Sequence, residues 1–274
     1  MHDNDIELPP GTDTTVPATA RVYDALLGGS TNLAADRVAA DVFAQHIPQA
    51  RECAKINRSA LIRGVEYLVR TAGMDQIIDI GCGLPTAQNT HQVAEGLNPD
   101  AKVVYVDHDP MVVAHANTLL ADNRSAIVIE ADLLDPAYIL SRPELRSFLD
   151  FERPIALLLV GMIMQISDEQ RPNDIIATLM DALPPGSHLL LTSWPDTGEA
   201  AQAALSAACI ETLGNGWMRP IPVLESHFQG LEMVAPGLEY IPRWYPEESD
   251  RTVRAVQDLE PYERTQMAGI ARKA

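Results

Sequence analysis

Three carboxylates stand at the ends of three short apolar runs in this chain, and the first is followed by two glycines one residue apart. In QIIDIGCGLPTAQ (76–88) these residues are Asp79, Gly81 and Gly83, in VVYVDHD (103–109) the carboxylate is Asp107, and in EADLLDP (130–136) it is Asp132. Glycines spaced in this way let a strand turn tightly into the next segment and let the backbone approach a ligand closely. A dinucleotide fingerprint needs a third glycine, so that a pyrophosphate can sit on a helix N-terminus, but position 86 is threonine, after Pro85. The lysine of a phosphate-cradling P-loop is absent as well. Asp79 is an anion placed close to where a pyrophosphate would lie, and it suits a cationic amino group instead. Asp107 can accept both hydroxyls of a ribose, a device that NAD sites share. Asp132 offers acceptors to the exocyclic amino hydrogens of an adenine, while Leu133 packs on the ring and His108 lies over it. With Gly161, just past the run PIALLLV (154–160), these residues describe a site for a nucleoside with an amino-acid tail, which is S-adenosylmethionine (SAM).

The elements that must position these residues follow from one rhythm. QIIDI (76–80), KVVYVD (102–107), AIVIE (126–130), PIALLLV (154–160) and HLLLTS (188–193) are continuous rather than alternating apolar runs, and stretches long enough for a helix separate most of them. That pattern predicts an α/β fold with a parallel sheet buried on both faces. LPPGSH (183–188) is a turn before the fifth strand, and EAAQAALSAACIETLG (199–214) is a strong helix former closed by Gly214. LEMVAPGLEYIPRW (231–244) and TQMAGIARKA (265–274) read as two more strands without a helix between them, an antiparallel pair at the end of the sheet.

Residues 1–17 read as a disordered tail, residues 18–75 as an N-terminal helical cap, and residues 76–274 as the cofactor-binding domain. In the cap, helical periodicity runs over 20–29, 32–47 and 51–73, with Gly28, Gly29 and Pro48 as breaks. The cap supplies candidates for a cofactor carboxylate, Arg58 first and then Arg21, because a guanidinium matches a carboxylate in two-point geometry. Tyr23 is a further candidate wall residue of the pocket. If the acceptor is a hydroxyl that must lose its proton, His227 or Glu225 in VLESHF (223–228) is the candidate base. Methyl transfer can also proceed by orientation and desolvation alone, without any base.

Composition narrows the partners. The formal net charge of −18 repels a phosphate backbone, so nucleic acid is not expected as a partner. No apolar stretch approaches the roughly 20 residues that span a bilayer, and the start of the chain does not resemble a signal peptide. A cytoplasmic location is the expectation. Cys53, Cys82 and Cys209 lack both disulfide density and zinc-site spacing, and read as reduced thiols with no metal.

RVYDALLGGSTNLAADR, IDIGCGLPTAQNTH, VVYVDHDPMVVAHA and EADLLDP resemble the class I SAM-dependent methyltransferases, and more narrowly an actinobacterial S-adenosyl methyltransferase group first catalogued as a domain of unknown function. The resemblance runs from about residue 18 to the C-terminus, and the pair YDALLGG and GLPTA carries its specificity. It implies a Rossmann-like, seven-stranded, mostly parallel sheet with one antiparallel strand near the end, SAM on the first strands, a helical cap over the pocket, and a small-molecule acceptor. The group has no settled substrate. The chain departs from the group at Ser30, where a lysine is usual, and in VGMIMQIS (160–167), where a histidine is frequent, so a role tied to either position does not carry over. Met162, Met164 and Gln165 instead suggest an apolar acceptor surface. Two other readings stay open from the residues alone: a SAM-binding protein without turnover, and an NAD-type oxidoreductase, against which the missing third glycine argues.

Overall fold

The structure, a computed structural model, describes residues 8–9, 12–85, 88–246 and 252–274. Thr86, together with residues 1–7, 10 and 11 of the expected tail, lies outside the described residues. The five apolar runs form β1 (Gln76–Ile80), β2 (Lys102–Asp107), β3 (Ala126–Glu130), β4 (Ala156–Val160) and β5 (His188–Ser193), all mutually parallel. Ten α-helices are described, besides short 3-10 and π segments: α1 (Thr19–Leu27), α2 (Ala34–His46), α3 (Ala50–Glu66), α4 (Thr90–Leu97), α5 (Pro110–Leu119), α6 (Pro136–Ser141), α7 (Pro143–Phe148), α8 (Pro172–Asp181), α9 (Ala200–Leu213) and α10 (Ile221–Ser226). Two-residue strands β6 (Pro195–Asp196) and β7 (Arg219–Pro220) pair with each other beside the main sheet. The last part of the chain contributes β8 (Glu232–Met233), β9 (Glu239–Tyr240) and β10 (Met267–Arg272).

The main sheet has the order β3-β2-β1-β4-β5-β10-β8, and β9 also pairs with β10. β10 is antiparallel to β5, to β8 and to β9, so it is the one strand that runs against the rest. Eight strands thus occupy seven positions. The outermost position is shared because the segment between β8 and β9 contains Pro236, which has no N–H for the ladder, and Gly237 at φ 90°.

The continuous apolar runs have a structural reason. In β1, Ile78 and Ile80 face a layer that includes Ile139, Leu145, Ile175 and Leu179 of α6, α7 and α8, while Ile77 faces Leu61, Val65 and Ala94 of α3 and α4. A strand covered on both faces must be apolar at both parities. A third cluster is separate from the sheet: Val22 and Ala25 of α1, Ala39, Ala40 and Phe43 of α2, and Leu205, Ala208 and Cys209 of α9, with Ala50 and Cys53 from the first turn of α3. α3 therefore spans both layers, with its start among the peripheral helices and its later turns on the sheet.

The described residues ahead of α1 make defined contacts. Thr12 bonds to Pro9, Asp13 accepts from Thr15, Val16 accepts from Arg21, and Leu8 packs beside Leu84, Met111 and Val112. The Pro/Thr-rich composition that suggested disorder is compatible with an extended segment whose contacts come from other elements.

Candidate active site

A cavity of about 400 Å³ lies at the carboxyl ends of β1, β2 and β4, bounded on its other side by α1, α2, the start of α3 and α9. Its cofactor end is built around the turn after β1. Gly81 and Gly83 take φ values of 71° and 65°. A Cβ on Gly81 would crowd the Met162 side chain, 1.9 Å from its sulfur, and the φ of 71° is one that other residues rarely adopt, so glycine suits this turn. At Gly83 a Cβ would meet nothing within 4 Å, which leaves room above the turn.

Asp107 at the end of β2 is buried and pins that turn. Its Oδ2 accepts from the Gly83 amide at 3.0 Å and its Oδ1 from the Asp109 amide at 3.0 Å. Burial pushes its carboxyl up and the two amide bonds pull it back. A carboxylate has about four acceptor positions; the Cys82 thiol also lies 3.9 Å from Oδ2, which leaves Oδ1 the freer oxygen for a ligand hydroxyl. Asp79 at the end of β1 is buried as well, with Thr90 of α4 donating to Oδ2 at 2.6 Å. Burial raises its carboxyl to about 6, against the opposing effects of the Thr90 bond and the Arg58 charge. A cationic group beside Asp79 would relieve that burial cost. Arg58 of α3 lines the same end and donates from Nη2 to the Gln88 carbonyl at 2.6 Å.

The structure brings Asp79, Gly81, Gly83, Asp107, His108, Gly161, Arg58 and Tyr23 together on this one cavity. His108 stands at the rim with its side chain mostly exposed, 3.9 Å from Asp107. Tyr23 donates to the Ala54 carbonyl at 3.0 Å and accepts from Asn57 at 3.3 Å. Asn57 in turn accepts from Thr192 of β5, whose hydroxyl oxygen accepts from the Gly161 amide, both at 2.8 Å. This chain of bonds ties α1 through α3 to the ends of β4 and β5.

Five residues singled out in the sequence lie elsewhere. Arg21 is buried against Asp36 at 2.8 Å and also donates to the Val16 carbonyl, and Asp36 further accepts from the Ala18 and Leu33 amides. That guanidinium secures α1 to α2 and does not face the cavity. Asp132 is exposed and accepts the Leu134 amide, the ordinary task of an aspartate in a turn. Leu133 is directed into the core under α6. Glu225 is exposed on α10. His227 is buried, its Nδ1–H donates to Asn173, and burial together with the Arg219 charge lowers its pKa to about 4. Neither Glu225 nor His227 lines the cavity.

Asn57, Trp194 and Gln266 were not singled out in the sequence although all three line the cavity. Asn57 had a signal. Cys53, Asn57 and Leu61 repeat every fourth residue along α3, and an amide within an otherwise apolar helical stripe needs a partner. Trp194 and Gln266 had none, because each follows or precedes a strand whose neighbour is distant in sequence.

A Rossmann-like sheet with one reversed strand, and a glycine turn between two buried carboxylates at the ends of adjacent strands, define a SAM-dependent methyltransferase. The chain belongs to the S-adenosyl methyltransferase family, whose model matches residues 6–274. A protein from Thermobifida fusca assigned as a methyltransferase shares 46% identity and a TM-score of 0.92, over 98% of this chain and 99% of that one. A DUF574 family protein from Streptomyces avermitilis shares 32% identity and a TM-score of 0.86, over 96% of this chain and 99% of that one. An O-methyltransferase family protein from Burkholderia thailandensis, at 14% identity and a TM-score of 0.53 over 84% of this chain and 62% of that one, shares the fold. No curated protein gives a match.

Proposed function

We propose that this methyltransferase acts on a small molecule held in the half of the cavity lined by α1, α2 and α9, and that Asp79, Asp107 and Arg58 hold SAM in the other half. Asp79 and Asp107, two buried carboxylates on neighbouring strands separated by the glycine turn, carry this reading. When bound, SAM supplies a methyl group on a positively charged sulfur.

The remaining work belongs to the chain. Asp107 accepts the ribose hydroxyls, fixing the nucleoside relative to β2. Asp79 accepts the ammonium of the amino-acid tail, and Arg58 pairs with its carboxylate. The turn through Gly81 and Gly83 lets the ligand lie close to the backbone. α1, α2 and α9 roof the cavity, which excludes water and holds the two reactants together, the main sources of rate in a transfer that needs no acid or base. The net charge of −18 argues against nucleic acid as the acceptor. We also propose a cytoplasmic setting, which the three free thiols suit, and an actinobacterial origin, in line with the Thermobifida and Streptomyces neighbours. No helix among the described residues is long and apolar enough to cross a membrane.

Calorimetry with SAM, its demethylated product S-adenosylhomocysteine (SAH) and NAD tests the cofactor half. Binding of the first two at micromolar or better affinity, with no heat from NAD, is the expected result. Folded protein that binds neither SAM nor SAH would end the proposal.

A further inference from the structure

The ionisable groups of the cavity are segregated. Arg58, Asp79, Asp107, His108 and Asp109 all stand on α3 or at the ends of β1 and β2, where the methyl donor is placed. The rest of the wall contains no Asp, Glu, His, Lys or Arg among the described residues that line it. Its apolar part comprises Val22, Leu26, Phe43, Ile47, Leu205 and Leu213. Among the described residues of this wall, the groups able to lose a proton are Tyr23, Cys53 and Cys209. The Tyr23 hydroxyl already donates to the Ala54 carbonyl and Cys53 lies against Thr265 and Tyr262, while burial holds all three groups in their neutral forms. This half of the cavity has nothing that can take a proton from an alcohol, and nothing that can balance the charge of a bound carboxylate.

Among the polar side chains of this wall, Thr19, Asn57, Gln165 and Asn215 have partners of their own, whereas two others carry an atom without one. Trp194, just past β5, and Gln266, just before β10, both line the cavity. Trp194 Nε1 and Gln266 Oε1 are buried, and neither finds a hydrogen-bond partner among the described residues. Gln266 is only 6% exposed. Buried atoms such as Trp244 Nε1 and His188 Nδ1 share this condition, but Trp194 and Gln266 are residues that line the acceptor half of the cavity, where a ligand with its own hydrogen-bonding group would sit.

We infer that the acceptor is an uncharged, hydrophobic amine, seated among α1, α2 and α9 with its nitrogen on the side of Trp194 and Gln266. The inference rests on the methyltransferase reading and narrows it. A neutral amine needs no base. Its nitrogen lone pair forms the new N–C bond as the bond from methyl carbon to sulfur breaks, and that electron pair stays on sulfur, leaving a neutral thioether. The positive charge passes from sulfur to nitrogen, and the secondary or tertiary product formed from a primary or secondary amine loses its extra proton to water after release. An alcohol would have to shed its proton during attack, and an acid would have to leave its charge unpaired against apolar walls.

The test uses four probes on one apolar scaffold: naphthalen-2-ylmethanamine, naphthalen-2-ylmethanol, 2-naphthoic acid and naphthalene-2-thiol. Each is titrated into the full-length protein saturated with SAH, followed by calorimetry and Trp fluorescence, and each is then offered with methyl-labelled SAM. The amine should bind best and be methylated. Its rate should rise from about pH 7 to 9 along the ionisation of the amine itself, with no second limb from the protein. Gln266→Leu should raise KM for the amine about five- to tenfold with little change in kcat and unchanged SAH affinity. Preference for the alcohol, the acid or the thiol, or binding of none of the four, overturns the assignment. SAH calorimetry separates the two levels: loss of SAH binding overturns the cofactor site and the acceptor class together, whereas SAH binding without amine preference overturns the acceptor class alone.

Discussion

Asp107 carries two tasks at once, because the same oxygens that face the cavity accept the Gly83 and Asp109 amides. Asp107→Ala should therefore cost about 2–4 kcal/mol of SAM affinity and also loosen the glycine turn. Asp107→Asn, which keeps one acceptor, should lose less, and calorimetry on the two variants separates the parts. Asp79 is a trade between stability and binding. Its carboxyl is raised by burial to about 6, so its ionised form is the one the fold disfavours. The resulting destabilisation is absent below the unfolded carboxyl pKa, grows as pH rises, and is complete above about pH 6. Asp79→Asn should accordingly stabilise the protein by about 1–3 kcal/mol at pH 8 and by nothing near pH 3.5, seen in denaturant midpoints, while weakening SAM binding. In the wild type SAM affinity should be flat above pH 7 and fall below about pH 6, with proton release on binding in that range. An affinity unchanged down to pH 5 would separate Asp79 from the ammonium.

At the scale of elements, the double glycine after α1 is a locked turn and not a hinge. Gly28 is the left-handed cap of α1 at φ 81°, and a Cβ on Gly29 would sit 2.0 Å from Asp24 Oδ1. Asp24 cannot easily move away, because its Oδ2 accepts from the Thr31 amide and the Asn32 side chain. Gly29→Ala should cost about 1–3 kcal/mol by crowding, and Gly28→Ala about 1 kcal/mol through backbone conformation alone. Thermal melts rank the two, and equal costs would mean that Asp24 gives way freely. The segment before α1 is part of the same construction. Pro17, Ala18 and Thr19 line the cavity and Val16 accepts from Arg21. Removal of residues 1–17 should then weaken SAM binding several-fold, and bound SAM should slow hydrogen exchange in α1 more than in β10. A truncated chain with full affinity would make that segment a bystander.

For the whole molecule, acid stability depends also on a histidine that does not line the cavity. His227 is held near a pKa of about 4 by burial beside Arg219, below its unfolded value, so the stability it contributes is complete above about pH 6.5 and is lost as pH falls towards 4. His227→Gln should flatten that loss, about 1.4 kcal/mol per pH unit at most, without affecting SAM affinity. The parallel sheet and the glycine turn were legible in the residues because both are local: a strand apolar at both parities has two covered faces, and a turn whose backbone takes φ values near +70° favours glycine. Asp79 and Asp107 were legible for the same reason, since the end of a parallel strand sets where its last side chains stand. Asp132 lies two residues past the end of β3, in a turn, and its side chain faces its own backbone. Arg21, Arg58 and Tyr23 looked alike as helix residues, but the rotation of α1 against α2 buries Arg21 on Asp36 and leaves Tyr23 at the cavity. Trp194, Gln266 and the joining of α9 to α1 and α2 depend on elements far apart in the chain. Only the tertiary structure decides such choices, because the direction a helical side chain faces is set by the packing of the whole helix and not by its neighbours in sequence.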